Sequence, residues 1–318
     1  MIALHFDNGQ LVEKETGKPD IRRGEALVKI RYAGICSTDL EILKGYMDFS
    51  GIPGHEFVGT VEMPRSLAGK RVTGEINISC GRCRLCRRGL GKHCSERTVL
   101  GISGRSGAFA GYITLPMSNL HVVPDSVSDE EAVFTELLAA ACEIPERIYI
   151  SRSCRVAVLG DGRLAAMAAQ VLRLKTKELT VLGVEPEKMR VIESLGISTS
   201  HAAVIPSMKG TFDVVVECTG SRMGLPDAID LVRPHGTIVL KSTFRAPLKW
   251  NPSRIAVDEI TIVGSRCGPF ETALSLLQKK KVVTAPFLTA VYPLKKWKTA
   301  FRRARQKSSF KILLDMHA

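Results

Sequence analysis

CRVAVLGDGRLAAMAAQVLRL, residues 154–174, decides the architecture. Its opening, CRVAVLG (154–160), is a short apolar run that ends in glycine and reads as a buried strand. RLAAMAAQVLRL (163–174) has the length and composition of a helix. The turn between them, GDGRLA (160–165), fits the pattern G-x-G-x-x-A. In that pattern Gly160 permits the tight turn and Gly162 lets a pyrophosphate approach the backbone. Free amides near Arg163 and Leu164 can then hold the anion at the helix N-terminus. Ala165 in place of a third glycine costs only slightly wider helix–strand packing. A lone match arises by chance in glycine-rich loops, whereas inside a strand–turn–helix–strand unit it becomes a strong signal of dinucleotide binding.

The surrounding chain supplies that unit. ELTVLG (178–183) is a strand and PEKMRVIESLG (186–196) a helix ended by Gly196; FDVVVECTG (212–220), GTIVLKS (236–242) and ITIVGS (260–265) are further buried strands. Strands alternating with helices imply a parallel sheet covered on both faces. The second strand ends at Gly183, about 20 residues beyond the glycine turn, where an acid would hold the ribose of NAD. Without that acid nothing repels a 2′-phosphate, yet no arginine follows directly and Glu185 stands two residues on, so NAD and NADP both stay open. Lys188 is a candidate ribose or phosphate contact, or a solvated helix lysine. Upstream, DEEAVFTELLAAACEIPERIYI (129–150) has helical periodicity behind Ser128, a good N-cap.

Residues 1 to about 125 have a different grammar, short strands broken by glycine and proline: EALVKIRYAGI (25–35), FVGTVE (57–62), KRVTGEI (70–76) and FAGYITLP (109–116). This reads as a partly closed β domain. The last fifty residues, with helices at 270–280 and 294–305, a strand near 287–291 and the strand FKILLD, could complete it. Within the β region CGRCRLCRRGLGKHC places Cys80, Cys83, Cys86 and Cys94 at C-x2-C-x2-C-x7-C spacing. Four thiolates this close can share one tetrahedral zinc, and a full shell makes that zinc structural. A second, open metal site needs three protein ligands. Cys36 in GICSTD and His55 in GIPGHEFVG are candidates, with Glu56 or Glu136 (in FTELLAAACE) as the third. Tyr46, Met47 and Phe49 follow Cys36 and are candidates for a pocket wall, or for packing.

The chain of 318 residues is 45% hydrophobic and 24% charged, the balance of a globular protein with room for two cores. No apolar run approaches the ~20 residues of a membrane helix. The start, MIALHFDNGQLVEKE, lacks the blocks of a signal peptide, so the expected compartment is the cytoplasm. The net charge of +13 raises a rival reading. Arg82, Arg84, Arg87, Arg88 and Lys92 stud the cysteine cluster and KKWKTAFRRARQK (295–307) is basic, as in a zinc-stabilised nucleic-acid-binding protein. Cys2His2 spacing is absent and aromatics are 6%, so the charge reads as solvated helix faces and attraction for an anionic cofactor or substrate, with no nucleic-acid or membrane partner.

GICSTD, GHEFVG, the four-cysteine lobe, FTELLAAA, VAVLGDG and VVVECTGS occur in an order that resembles the zinc-dependent medium-chain alcohol dehydrogenases, closest to the sorbitol, threonine and glucose dehydrogenase branch. The resemblance covers nearly the whole chain. It implies an α/β protein: a GroES-like β domain (1–125 and 268–318) plus a Rossmann-fold, doubly wound parallel sheet (126–267). It implies two zinc ions per chain and NAD or NADP. Cys36 and His55 are then catalytic zinc ligands and Glu136 takes the third-ligand position, with Leu137 where the family has proline. Glu56 is a neighbour of the metal or exchanges onto it. Thr38 has the place of a proton-relay hydroxyl, and Glu41 stands where some members have a relay histidine. Thr219 and Gly220 match a turn beside the nicotinamide, and Lys311 falls near a basic residue that faces the cofactor phosphates. The implied reaction exchanges a hydride between NAD(P) and a small alcohol or carbonyl, in a homodimer or homotetramer paired through ITIVGS. A zinc-free quinone-type reductase of the same superfamily is the nearer rival, and Cys36, His55 and the cysteine lobe argue against it.

Overall fold

Six parallel strands form the sheet that the glycine turn belongs to. Their spatial order is Ser198–His201, Leu179–Gly183, Val156–Leu159, Phe212–Glu217, Val232–Leu240, Thr261–Gly264, so the chain winds outward in both directions from Val156–Leu159. This is the 3-2-1-4-5-6 order of dinucleotide-binding sheets, in which ligands sit at the carboxyl ends of the strands where the order reverses. Val156, Ala157, Val158 and Leu159 are all buried, as a central strand covered on both faces requires. The helix Arg163–Arg173 buries every residue from Ala165 to Leu172, so its small side chains let it lie close on the sheet.

The computed structural model describes residues 1–45, 48–243 and 251–317, and the chain divides into two units, Met1–Glu136 with Phe270–Ala318, and Leu137–Pro269. Residues 126–136 group with the first unit. Among the described residues no helix is long and apolar enough to cross a membrane.

In the first unit a seven-stranded sheet runs Leu120–Val122, Arg71–Gly74, Glu56–Met63, Glu25–Ile35, Lys311–Asp315, Leu288–Pro293, with Tyr112–Pro116 also paired to Glu25–Ile35. The long strand Glu25–Ile35 is therefore the hub, and most of its residues are buried. The chain terminus returns to it: Ile312 pairs with Ile35 and Asp315 with Tyr32 in antiparallel register. Ile2–Asp7 and Gln10–Glu15 form a hairpin whose two-residue turn has Asn8 and Gly9 both at positive φ, the geometry that suits strand twist.

Several boundaries differ from the sequence reading for local reasons. The helix anticipated over 129–150 is two helices, Asp129–Val133 and Thr135–Arg147, separated at Phe134. Ser128 does cap the first: its hydroxyl accepts from the Glu131 amide at 3.2 Å and Glu131 returns the bond to the Ser128 amide at 2.9 Å. The strand anticipated at 236–242 begins earlier, at Val232, across an irregularity in the ladder: Phe212 pairs with Val232 and Val214 with Thr237, and the exposed His235 between them has φ +56°. The helix anticipated over 294–305 opens with a 3-10 turn, Leu294–Lys296, before the α-helix Trp297–Ala304.

Candidate metal and dinucleotide sites

Two clusters of ligating side chains occur among the described residues, and both lie in the first unit. The first is the cysteine lobe. Cys83 caps the short helix Arg84–Arg87, which carries Cys86, while Cys94 closes a 3-10 turn. The sulfurs stand 3.5 Å (Cys83–Cys86), 3.5 Å (Cys80–Cys94), 3.8 Å (Cys83–Cys94) and 4.0 Å (Cys80–Cys86) apart. Zn–S bonds of about 2.3 Å in a tetrahedron put sulfurs ~3.8 Å apart, so the four thiols match the ion's own geometry. None of them is in a disulfide.

The second cluster brings together Cys36, His55 and Glu56, whose ligand atoms lie within 4.8 Å of one another. Its position follows from the sheet. Glu25–Ile35 delivers Cys36 at its end, as the N-cap of the helix Ser37–Ile42, and His55 immediately precedes the strand Glu56–Met63. Glu56 pairs across the ladder with Gly34. A Cβ on Gly34 would lie 2.5 Å from Glu56 Oε2 and 2.9 Å from Val133 Cγ1, so only glycine there leaves room for the carboxylate.

Asp39 organises this cluster. Its Oδ2 accepts the Cys36 amide at 2.7 Å, and its Oδ1 lies 3.3 Å from His55 Nδ1, with both residues almost fully buried. A carboxylate on one ring nitrogen leaves the other nitrogen to face a metal. Burial would lower the His55 pKa, but the charges and hydrogen bonds of Asp39 and Cys36 outweigh it and hold the imidazole well above its ordinary value. GICSTD contains Asp39, but only the fold reveals its burial and its partner; an acid three residues after a candidate ligand was the available signal.

Lys311 is a correction. It was expected against cofactor phosphates, yet it is fully buried and its ammonium bonds Glu56 Oε2, with the Phe134 ring 5.8 Å away. The strand Lys311–Asp315 lies beside the hub strand, and this register aims Lys311 into the unit rather than at solvent. Of the two candidates for the third ligand, Glu136 sits in the first turn of Thr135–Arg147 and is not in the 4.8 Å cluster, whereas Glu56 is. Thr38 has its hydroxyl 3.9 Å from Cys36 Sγ. Glu41 is exposed and pairs with Lys44 at 2.7 Å. Phe49 is in a small apolar cluster with Phe6 and Ile42, a packing role, whereas Tyr46 and Met47 lie outside the described residues.

In the second unit Gly160 has φ +118°, and a Cβ there would stand 3.0 Å from the Cys218 carbonyl, so the turn needs glycine. Gly162 is the N-cap of Arg163–Arg173 and has nothing within 4 Å of where its Cβ would be. Gly162 thus opens the helix without a side chain in the way, and a helix N-terminus is a place where a pyrophosphate is held. Gly183 ends its strand, and Lys188 lies half-buried in the first turn of Pro186–Glu193. Thr219 donates to Glu217 Oε1 through its amide at 2.7 Å and its hydroxyl at 2.5 Å, and the Gly220 amide donates to Ser242 Oγ at 2.7 Å. Cys218 and Cys142 are not candidate nucleophiles: burial pushes each thiol up to about 12.

A dinucleotide-binding sheet in one unit and a thiol–imidazole–carboxylate cluster in the other define an oxidoreductase of the medium-chain alcohol dehydrogenase class. Residues 22–125 match the alcohol dehydrogenase GroES-like domain and residues 146–316 the glucose dehydrogenase C-terminus. The chain is 30% identical to an L-threonine 3-dehydrogenase of Streptomyces avermitilis, covering 94% of each chain, and 28% identical to a sorbitol dehydrogenase of Halalkalibacterium halodurans, covering 99% of this chain and 98% of the relative. The solved structure of an alcohol dehydrogenase from Thermus sp. ATN1 superposes with a TM-score of 0.90 at 26% identity, covering 99% of each chain. The chain belongs to the zinc-dependent medium-chain alcohol dehydrogenase family, in the branch whose second half is the glucose dehydrogenase C-terminus. It is an enzyme that exchanges a hydride between an alcohol and NAD(P).

Proposed function

We propose that the chain oxidises a secondary alcohol of a polyol, sugar or hydroxy amino acid to the ketone, with Cys36, His55 and Glu56 holding a catalytic zinc and the four lobe cysteines a structural one. The observation that carries this reading is the convergence of a soft thiol, an imidazole and a carboxylate on one point. Such a mixed N, S and O set suits zinc, and three ligands leave a position for substrate. Zinc in that position supplies Lewis acidity to the alcohol oxygen. Asp39 keeps the His55 ring oriented. Lys311 balances the Glu56 carboxylate, which lowers the cost of a second acid-type ligand in a buried site. The Thr38 hydroxyl would relay the substrate's hydroxyl proton, accepting it while giving up its own to solvent. The glycine turn and the amides of Arg163 and Leu164 hold the coenzyme pyrophosphate, and the Thr219–Gly220 turn borders the nicotinamide. The family relatives named for sorbitol and threonine support the substrate class.

A panel of polyols, aldoses, simple secondary alcohols and threonine, each tested with NAD and with NADP at 340 nm, is the direct test. Turnover of at least one member, abolished by a chelator and restored by zinc, is expected. No turnover across the panel by zinc-replete protein would count against the substrate class, and turnover indifferent to chelation would count against the metal.

The reading includes a cytoplasmic homodimer or homotetramer. Thr261–Gly264 is the last strand of its sheet, and Thr261 and Ile262 are exposed along it, as is Val257 just before. An exposed edge with an isoleucine on it favours pairing with a second copy. Gel filtration at micromolar concentration should give a multiple of the chain mass; a monomer would remove this part of the proposal.

A further inference from the structure

Dinucleotide folds of this topology read the adenosine ribose at the end of the second strand, usually with an acid located there. In this chain the position is Gly183. The structure supplies a carboxylate from another direction. Val156–Leu159 and Leu179–Gly183 are adjacent parallel strands, with Leu159 opposite Leu182, so the glycine turn after the first abuts the end of the second. Asp161, the middle residue of GDG, reaches across that gap. Its Oδ2 accepts the Val184 amide at 2.6 Å and the Glu185 amide at 2.8 Å, and the residue is only 8% exposed.

The two positions are mutually exclusive. A Cβ on Gly183 would lie 2.7 Å from Asp161 Cβ and 2.8 Å from its Oδ2, so a side chain at 183 would displace the one at 161. The glycine at 183 is therefore what makes room for the Asp161 carboxylate.

We propose that Asp161 selects the coenzyme, taking the ribose hydroxyls of NAD and rejecting the 2′-phosphate of NADP; this rests on the coenzyme reading given above. Two effects act together. A carboxylate beside a 2′-phosphate places like charges in contact, which costs several kcal/mol. Consecutive backbone amides at a strand end also make an anion cradle, and Asp161 Oδ2 already fills the one formed by Val184 and Glu185. Two cations, Lys188 and Arg163, stand in the same neighbourhood as Asp161 and Glu185. Lys188 is half-buried, with its charge set against Asp161 and Glu185 as well as beside Arg163.

Fluorescence titrations of NADH and NADPH into the wild type, Asp161→Asn and Asp161→Ser measure selection without turnover. Asparagine keeps an acceptor for the two amides and removes the charge. The wild type should bind NADH at least about tenfold more tightly than NADPH, and both variants should lose most of that ratio, chiefly through tighter NADPH binding. Calorimetry of the wild type with ADP-ribose and 2′-phospho-ADP-ribose gives the same comparison even if the variants unfold, with the unphosphorylated fragment expected to bind more tightly. Preference for the phosphorylated ligands, or a ratio unchanged in folded variants, would overturn the assignment of Asp161 and leave the proposed function standing. Failure of every nucleotide to bind would overturn both.

Discussion

Replacing Cys36 by serine should lower kcat/KM by about a thousandfold or more and remove one zinc per chain, while the other zinc and the fold remain. A metal acting as a Lewis acid contributes several kcal/mol to the transition state, and each 1.36 kcal/mol is tenfold in rate. Serine keeps the shape of Cys36 but not the soft anionic ligand. The variant should stay folded because Cys36 is only partly buried, and its amide bond to Asp39 is made by the backbone. His55→Ala should give the same double loss at greater cost in stability, since it leaves Asp39 in a buried site without the ring beside it. Asp39→Asn keeps the amide partner and weakens only the hold on the ring, so about 10–100-fold is expected, mainly in metal affinity. Metal analysis by mass spectrometry alongside steady-state kinetics reads all three. A Cys36→Ser protein that keeps two zincs and full activity would exclude this residue from the centre.

Replacing Cys94 by serine should have the opposite signature: little direct effect on chemistry, but loss of the other zinc and a fall in Tm of about 10 °C or more. The lobe has almost nothing else to hold it. Its strands Asn77–Ile78, Thr98–Leu100 and Gly104–Arg105 are two or three residues long, and the helix Arg84–Arg87 buries none of its residues. Cys94 is the one fully buried thiol of the four. Without an ion, four thiols replace a core, and the arginines around them repel one another; the exposed pair Arg82–Glu96 adds little. Limited proteolysis should find new cuts within residues 80–94 in the variant and after chelation. Resistance to protease with the metal removed would show that the lobe folds without it.

What could be read before the fold was known was whatever chemistry lies within one short stretch. The glycine turn and its helix are contiguous, and so are the four cysteines, whose sulfurs come to within 4.0 Å of one another along the pairs given above. The cluster of Cys36, His55 and Glu56 was half legible: the residues were candidates, but convergence depends on the hub strand and Glu56–Met63 pairing in one register. Lys311 was misplaced because its partner Glu56 is 255 positions away, joined only by the return of the terminal strand to the hub. Asp161 was passed over for a related reason. Within GDG it is a variable position between two glycines, and its role appears only when the neighbouring parallel strand brings Val184 and Glu185 under its carboxylate. Local patterns report turns, helices and metal-binding spacings; ion pairs across a sheet do not have a local pattern.

The central claim is that one metal ion is shared by a side chain from each of two adjacent strand ends. A crystal of the zinc-loaded protein, measured on both sides of the zinc absorption edge, tests it most directly. The account predicts two anomalous peaks per chain, one inside the cysteine lobe and one about 2.0–2.3 Å from both Cys36 Sγ and a His55 ring nitrogen. A single peak in the lobe, with Cys36 and His55 bound to nothing in common, would contradict it.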